Sequence, residues 1–346
     1  MSGLLLPRTP ERIAARRRLS VILFVWAWEL ALAFVVTSPT HAWARRVWGG
    51  HPDGDAVLFR PGARALLVWL GQGDAALPVV SRTTMVLVIA GAVASQLALG
   101  ALLVGIGFAR DDDDRPPRLR DAVSAATRAF LPLSALLAFS VLAQGLVVGA
   151  GMLASSAVDH RLADRVGDAR SFTLRLVVMA AFVVIALVIG VFVDLARAAV
   201  ARDVALGPEG SAGRTRPAWN TMLLGIRAAL TVVRRGRGLP RPLLAWAWRA
   251  TAGVALLGVG WAASGALGGR GGLTLWLLAA VHQGVVLARV ALRASWLARA
   301  MRHVALVQDA WTADPASRGA SMAGAATGSP TAAADQLARE AVPSER

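Results

Sequence analysis

Leu174-Arg175-Leu176-Val177-Val178-Met179-Ala180-Ala181-Phe182-Val183-Val184-Ile185-Ala186-Leu187-Val188-Ile189-Gly190-Val191-Phe192-Val193-Asp194-Leu195-Ala196-Arg197 is the stretch whose reading decides the fold. Between Arg175 and Asp194 lie 18 residues, Leu176 to Val193, with no charge and no strongly polar side chain. At ~1.5 Å per residue a helix of that length reaches about 27 Å, close to the length needed to cross a ~30 Å hydrocarbon core. Only a helix or a closed barrel satisfies its backbone polar groups in lipid, so this run predicts a membrane-spanning helix. The rest of the chain reads as partners for it.

Composition agrees with that reading. Of the 346 residues, 56% are hydrophobic and only 17% charged, against about 25% charged in ordinary soluble domains. The formal net charge is +16, which raises the thought of nucleic acid. We set that aside and expect no nucleic-acid partner. All 37 basic residues are Arg, there is no Lys, Tyr or Cys, and Asn220 is the only Asn, a pattern of GC-rich codon usage. Basic charge in a multi-pass protein mainly records loop topology. The absence of Cys excludes disulfides, Cys-ligated metal and thiol nucleophiles. No cofactor or metal is expected.

Outward from the opening stretch, read as the span 174–202, five further spans are expected at 19–37, 83–108, 129–158, 243–267 and 273–297. The fold class is therefore an all-α polytopic membrane bundle of six transmembrane helices with cytoplasmic amphipathic helices. Residues 1–18 form a basic lead, and the span that follows reads as an uncleaved anchor because Glu29 interrupts it. Residues 38–82 read as an extracytoplasmic loop. It has turn chemistry at His51-Pro52-Asp53-Gly54-Asp55 and a short interfacial helix at Ala63 to Leu70. Small residues in the second span, and Gly145-x-x-x-Gly149 in the third, predict close helix approach. Residues 159–173 read as a polar loop. Residues 217–235 predict an amphipathic helix: Trp219, Leu223, Ile226, Leu230 and Val233 recur at steps of four and three. Its apolar stripe is expected on the membrane surface, with its Arg residues against anionic lipid headgroups. The tail 313–346, rich in Ala, Ser, Thr, Gly and Pro, reads as disordered.

Arg placement sets the orientation. The segments assigned to the cytoplasm carry 24 Arg and the opposite side 10, the remaining three lying within the last two spans. Positive charge stays inside, so both termini are expected in the cytoplasm, in a cell inner membrane. The exits Leu195 to Arg202 and Leu287 to Arg293 are 92 residues apart, and the Arg-Ala leads at Arg128 and Arg227 about 100 apart, which points to a parallel two-span repeat. The segment His51 to Phe59, the exit Asp194 to Arg197 and Arg227 together resemble a loose class of multi-pass bacterial inner-membrane proteins. The resemblance covers about residues 10–300 and implies topology only, since that class has no established activity.

The candidate chemistry lies inside the spans. Glu29, Gln96, Gln144, His282 and Gln283 fall near the middle of four spans. Intramembrane ionisable groups are functional candidates by default, and a converging set would form a midplane site for a proton or solute. The competing reading is interhelical hydrogen bonding that fixes packing. Asp194 and Arg197, three apart, share a helix face and are expected to form an ion pair at the cytoplasmic edge. Ser264 and His282 invite comparison with an intramembrane Ser–His hydrolase, but residue counting puts them roughly 9 Å apart in depth. Asp111 to Asp114 read as a solvated charge run, with Mg²⁺ binding as the alternative. No phosphate-binding loop, dinucleotide fingerprint or nucleophile elbow is present. The expected role is a non-enzymatic membrane or partner-binding component, with a small transporter or channel as the alternative.

Overall fold

The structure, a computed structural model, describes residues 13–14, 18–48, 77–110, 115–206, 217–235, 240–267 and 272–313. Among these there are seven helices and no strand: α1 (Leu19–Trp48), α2 (Leu77–Gly107), α3 (Leu119–Val166), α4 (Asp168–Leu206), α5 (Ala218–Arg235), α6 (Pro240–Leu267) and α7 (Leu273–Ala313). All but α5 are long and apolar enough to cross a membrane. The chain is a polytopic all-α bundle. It divides into two compact units, Met1–Val304 and Ala305–Arg346. Of the second, only residues 305–313 are described, as the last turns of a helix.

The helices outrun the spans expected of them. α1 continues to Trp48 and α2 starts at Leu77, so part of the expected 38–82 loop is helical. The interfacial segment 63–70, the acidic run 111–114 and the tail beyond Ala313 lie outside the described residues. The polar loop expected at 159–173 is instead a one-residue turn. α3 runs to Val166 and α4 begins at Asp168, with Gly167 between them at φ 78°. Only Gly takes that left-handed conformation without a Cβ penalty, which is why the turn can be so short. Asp159 closes the hairpin, accepting from Ser171 Oγ at 3.1 Å and pairing with Arg175 Nη1 at 3.1 Å. Polarity marked this segment as non-membranous, but polar residues form helix as readily outside lipid.

Packing is concentrated at one end of the bundle. α2 lies between α1 and α3, α3 packs along α4, and α5 sits on α4 and α3. Fully buried side chains cluster where α2 ends, α3 begins, α4 ends and α5 docks: Leu103, Phe108, Leu133, Leu195 and Met222 are among them. Toward the other end the same helices expose Val79, Leu146, Leu153 and Val177. This asymmetry has a physical cause. Lipid tails are as apolar as Leu, so helices in the hydrocarbon gain nothing from hiding apolar side chains from it. Where α3 (48 residues) and α4 (39 residues) run past a ~30 Å core, water drives apolar burial as in a soluble protein.

Close approach follows small residues, though not where the sequence motif placed it. A Cβ on Gly145 or Gly149 would meet nothing within 4 Å among the described residues, so that motif makes no close contact with them. The tight contact of α3 with α4 lies at Gly151, where a Cβ would come within 2.7 Å of Phe182 Cβ. In α2, Gly105 lies against Val21 and Gly100 against Ala126.

α5 uses two faces. Met222, Gly225, Ala229 and Val232 are buried against the bundle. Each immediately precedes a residue of the expected stripe, so the two faces stand about 100° apart. Trp219 and Leu230 on that stripe are exposed. Gly225 and Ala229 let this face approach the bundle closely beside Met222 and Val232, while Trp219 and Leu230 face outward. The two expected repeat units differ here. The lead Arg118 to Phe130 is fused into α3, whereas α5 is a helix separate from α6.

Candidate functional site

The five midplane polar residues are not joined in one hydrogen-bonded set among the described residues. Among the described residues no two of them are hydrogen-bonded to each other, and four are engaged elsewhere. Gln144 Nε2 donates to Ala186 O at 3.1 Å, tying α3 to α4. Gln283 Oε1 accepts from Trp26 Nε1 at 3.2 Å, tying α7 to α1. Gln96 is buried and turns back on its own helix, Nε2 to Ala92 O at 3.1 Å. His282 is bound to α6. Glu29 lines a cavity.

The Ser264–His282 pair requires a correction. Residue counting separates their backbones in depth, yet Ser264 Oγ and His282 Nε2 are 3.0 Å apart. α6 and α7 run in opposite directions, and a helical side chain leans toward its own N-terminus. Ser264 therefore leans one way along the bundle axis and His282 the other, and the two leans close the gap. The proton inventory then decides what the pair can do. Ser264 Oγ donates to Gly260 O at 3.0 Å, and His282 Nε2 lies 3.2 Å from that same carbonyl. With the proton on Nε2 all three contacts are satisfied, Nε2 donating while Ser264 Oγ donates to the Gly260 carbonyl. In that tautomer Nε2 cannot take a proton from the serine, and the contact joins α6 to α7.

A different group of charges does come together. A cavity of about 430 Å³ opens between α1, α4, α6 and α7, lined by Glu29, Asp194, Arg249, Arg289 and Arg293 with Trp246 and Trp296 beside them. These three arginines are the ones inside the spans that belong to neither side in the topology count. On α6, Trp246, Arg249, Ala250, Gly253, Val254 and Leu257 fall on one face by their spacing of three and four. On α7, Val286, Arg289, Val290, Arg293 and Trp296 do the same. Arg249 is held in place: Nε donates to Ser295 Oγ at 3.1 Å, Nη1 to Ala245 O, and the guanidinium lies 5.1 Å from the Trp248 ring centroid. Arg289 and Arg293 are exposed and make no hydrogen bond among the described residues.

Asp194 forms the wall of the cavity on α4. Its Oδ1 accepts from Arg197 Nη1 at 2.9 Å and its Oδ2 from Trp296 Nε1 at 2.9 Å, with all three residues buried. The ion pair expected between Asp194 and Arg197 is formed, it is buried, and its carboxylate also joins α4 to α7. Both carboxylate oxygens are committed, which leaves Glu29 as the one lining acid without a hydrogen-bond partner among the described residues. With Asp194 balanced by Arg197, three arginines face one carboxylate. The cavity therefore carries a surplus of positive charge.

Comparison with protein-family models, curated proteins and solved structures finds no match to this chain.

Sequence reasoning named Glu29 and Asp194, took Arg249 only as a residue snorkelling toward the cytoplasm, and did not place Arg289, Arg293 or Trp296 in a site. The signal was present: arginine inside a span is as costly as glutamate. Reading Arg as codon bias and as a topology marker hid the three whose position neither explains.

Proposed function

We propose that the protein is a non-enzymatic integral membrane component, an accessory or partner-binding bundle, seated in a cell inner membrane with both termini cytoplasmic. The observation that supports this reading is the spending of the midplane amides and imidazole on bonds between and within helices. Gln144, Gln283 and His282 each join a different pair of helices, and Gln96 bonds within its own. A solute path needs such groups turned toward a common passage. The outward stripe of α5 extends the reading, since Trp219 and Leu230 suit insertion into the headgroup region beside anionic lipid.

A second reading, a small transporter, has one observation in its favour: Glu29 lines a cavity with three arginines. Flux separates the two. Proteoliposomes carrying the full chain and an internal pH dye are expected to leak protons no faster than empty vesicles under an imposed gradient. Proton flux that appears with the wild type and vanishes in Glu29→Gln would replace the first reading by the second.

Orientation has its own test, made simple by a chain without cysteine. His41→Cys near the end of α1 and Arg234→Cys on α5 are both at exposed positions. In intact spheroplasts a membrane-impermeant maleimide should label the first and spare the second until the membrane is lysed. The reverse pattern would invert the topology.

A further inference from the structure

We infer that the cavity between α1, α4, α6 and α7 is a site for the phosphate headgroup of an anionic phospholipid. The lipid comes from the leaflet at the Arg-rich end, the cytoplasmic one in the orientation proposed above, and the inference goes beyond the general role proposed there. Three observations carry it. The first is charge: Arg249, Arg289 and Arg293 outnumber the one carboxylate left free to oppose them. Arginine presents a planar fork of donors that matches phosphate oxygens. Arg289 and Arg293 have that fork unspent, and Arg249 is already oriented by Ser295.

The second observation is a gradient of polarity. α6 runs away from the Arg-rich end and α7 runs toward it. Along α6 the lining changes from Trp246 and Arg249 to Val254 and Leu257. Along α7 it changes in the opposite chain direction, from Val286 to Arg289, Arg293 and Trp296. Both helices thus put charge and indole at the Arg-rich end of the cavity and aliphatic side chains toward the bilayer middle. A phospholipid has that profile, headgroup above acyl chain, and a free anion does not.

The third observation is depth. Arg249 lies 18 residues from the outer end of α6, and Arg289 and Arg293 lie 16 and 20 residues from the start of α7. At ~1.5 Å per residue these are about 24–30 Å from the outer ends, near the far boundary of a ~30 Å core, where phosphates reside. Leu292, which borders this cavity, also borders a groove lined only by apolar residues of α6 and α7, among them Leu256 and Val259. A second acyl chain has a surface to lie on there.

The test uses the purified full chain in detergent with phosphatidylcholine. It is titrated with phosphatidylglycerol and separately with inorganic phosphate, and read by native mass spectrometry and thermal unfolding. One phosphatidylglycerol should be retained at least about tenfold more tightly than phosphatidylcholine, as expected for charge-assisted hydrogen bonds to a phosphate. The double variant Arg289→Gln/Arg293→Gln removes no hydrogen bond among the described residues and should lose most of that preference. Arg227→Gln/Arg234→Gln on α5 should keep the tightly held lipid, which separates the cavity from general attraction at the surface. Glu29→Gln should tighten binding roughly threefold, because a negative charge facing the arginines is gone. A misfolded variant cannot produce that gain. Unchanged retention in the arginine double variant, or weaker binding in Glu29→Gln, would overturn the inference. So would stabilisation by millimolar phosphate equal to that by phosphatidylglycerol, which would mark a soluble-anion site. None of these outcomes depends on the flux result.

Discussion

Asp194→Ala is expected to destabilise the bundle by about 3–5 kcal/mol, the usual consequence of leaving one partner of a buried ion pair uncompensated. The wild-type carboxylate serves two donors at once, Arg197 Nη1 and Trp296 Nε1, each at 2.9 Å. Removing it strands a guanidinium on a residue only 8% exposed, whose Nε already has no partner. It also strands an indole N–H on a residue only 3% exposed. Asp194→Asn should cost less, because its one carbonyl oxygen can still accept from one of the two donors. Asp194→Ala/Arg197→Ala should recover part of the loss by taking the unpaired cation away. That recovery is what marks a coupled pair, since independent sites add. Unfolding in mixed micelles of increasing SDS fraction, followed by tryptophan fluorescence, reads all three. A double variant as unstable as the sum of the single ones would deny the coupling.

Gly225→Ala is expected to loosen α5 from the bundle at a cost of about 1–3 kcal/mol, the range for overpacking a well-packed contact. The added Cβ would come within 2.5 Å of Val200 Cγ2 and 2.9 Å of the Ala196 carbonyl oxygen. Neither neighbour can yield cheaply, because a β-branched side chain in a helix has one preferred rotamer and the carbonyl belongs to the α4 backbone. The helix that moves must be α5. Gly145→Ala is the matched control. Its Cβ meets nothing, and the gain in helix propensity, up to about 1 kcal/mol, should show as unchanged or raised stability. A cysteine at Met222, buried against the bundle, reports the docking directly. It should resist maleimide in the parent chain and react in the Gly225→Ala background. Equal protection in both would show that the contact accommodates a methyl group.

The two variants probe elements that the sequence rendered unequally. The stripe of α5 could be read from spacing, because a helix with large apolar residues every three or four positions must offer them to something apolar. Which face meets protein could not. The buried face is marked by small residues, Gly225 and Ala229, and small residues signal a contact only when a neighbour stands opposite. Gly145 and Gly149 carry the same local mark with nothing opposite them. The Ser264–His282 contact failed in the reading for a related reason. Counting residues gives backbone depth, while hydrogen bonds are made by side-chain ends that lean several ångströms along the helix.

The sequence by itself determined that this is an all-α chain with six helices able to cross a membrane. A bilayer accepts no unpaired backbone group, so an apolar run of sufficient length has only helix available to it. It also determined that charge lies inside some spans. The tertiary structure alone decided which of those charges act together. Asp194 meets Trp296 across 102 residues and Trp26 meets Gln283 across 257. Arg249, Arg289 and Arg293 share one cavity with Glu29. Spacing along a helix fixes which side chains share a face. The rotation and register that turn one face toward another come from packing summed over every helix, and no single stretch of sequence contains that sum.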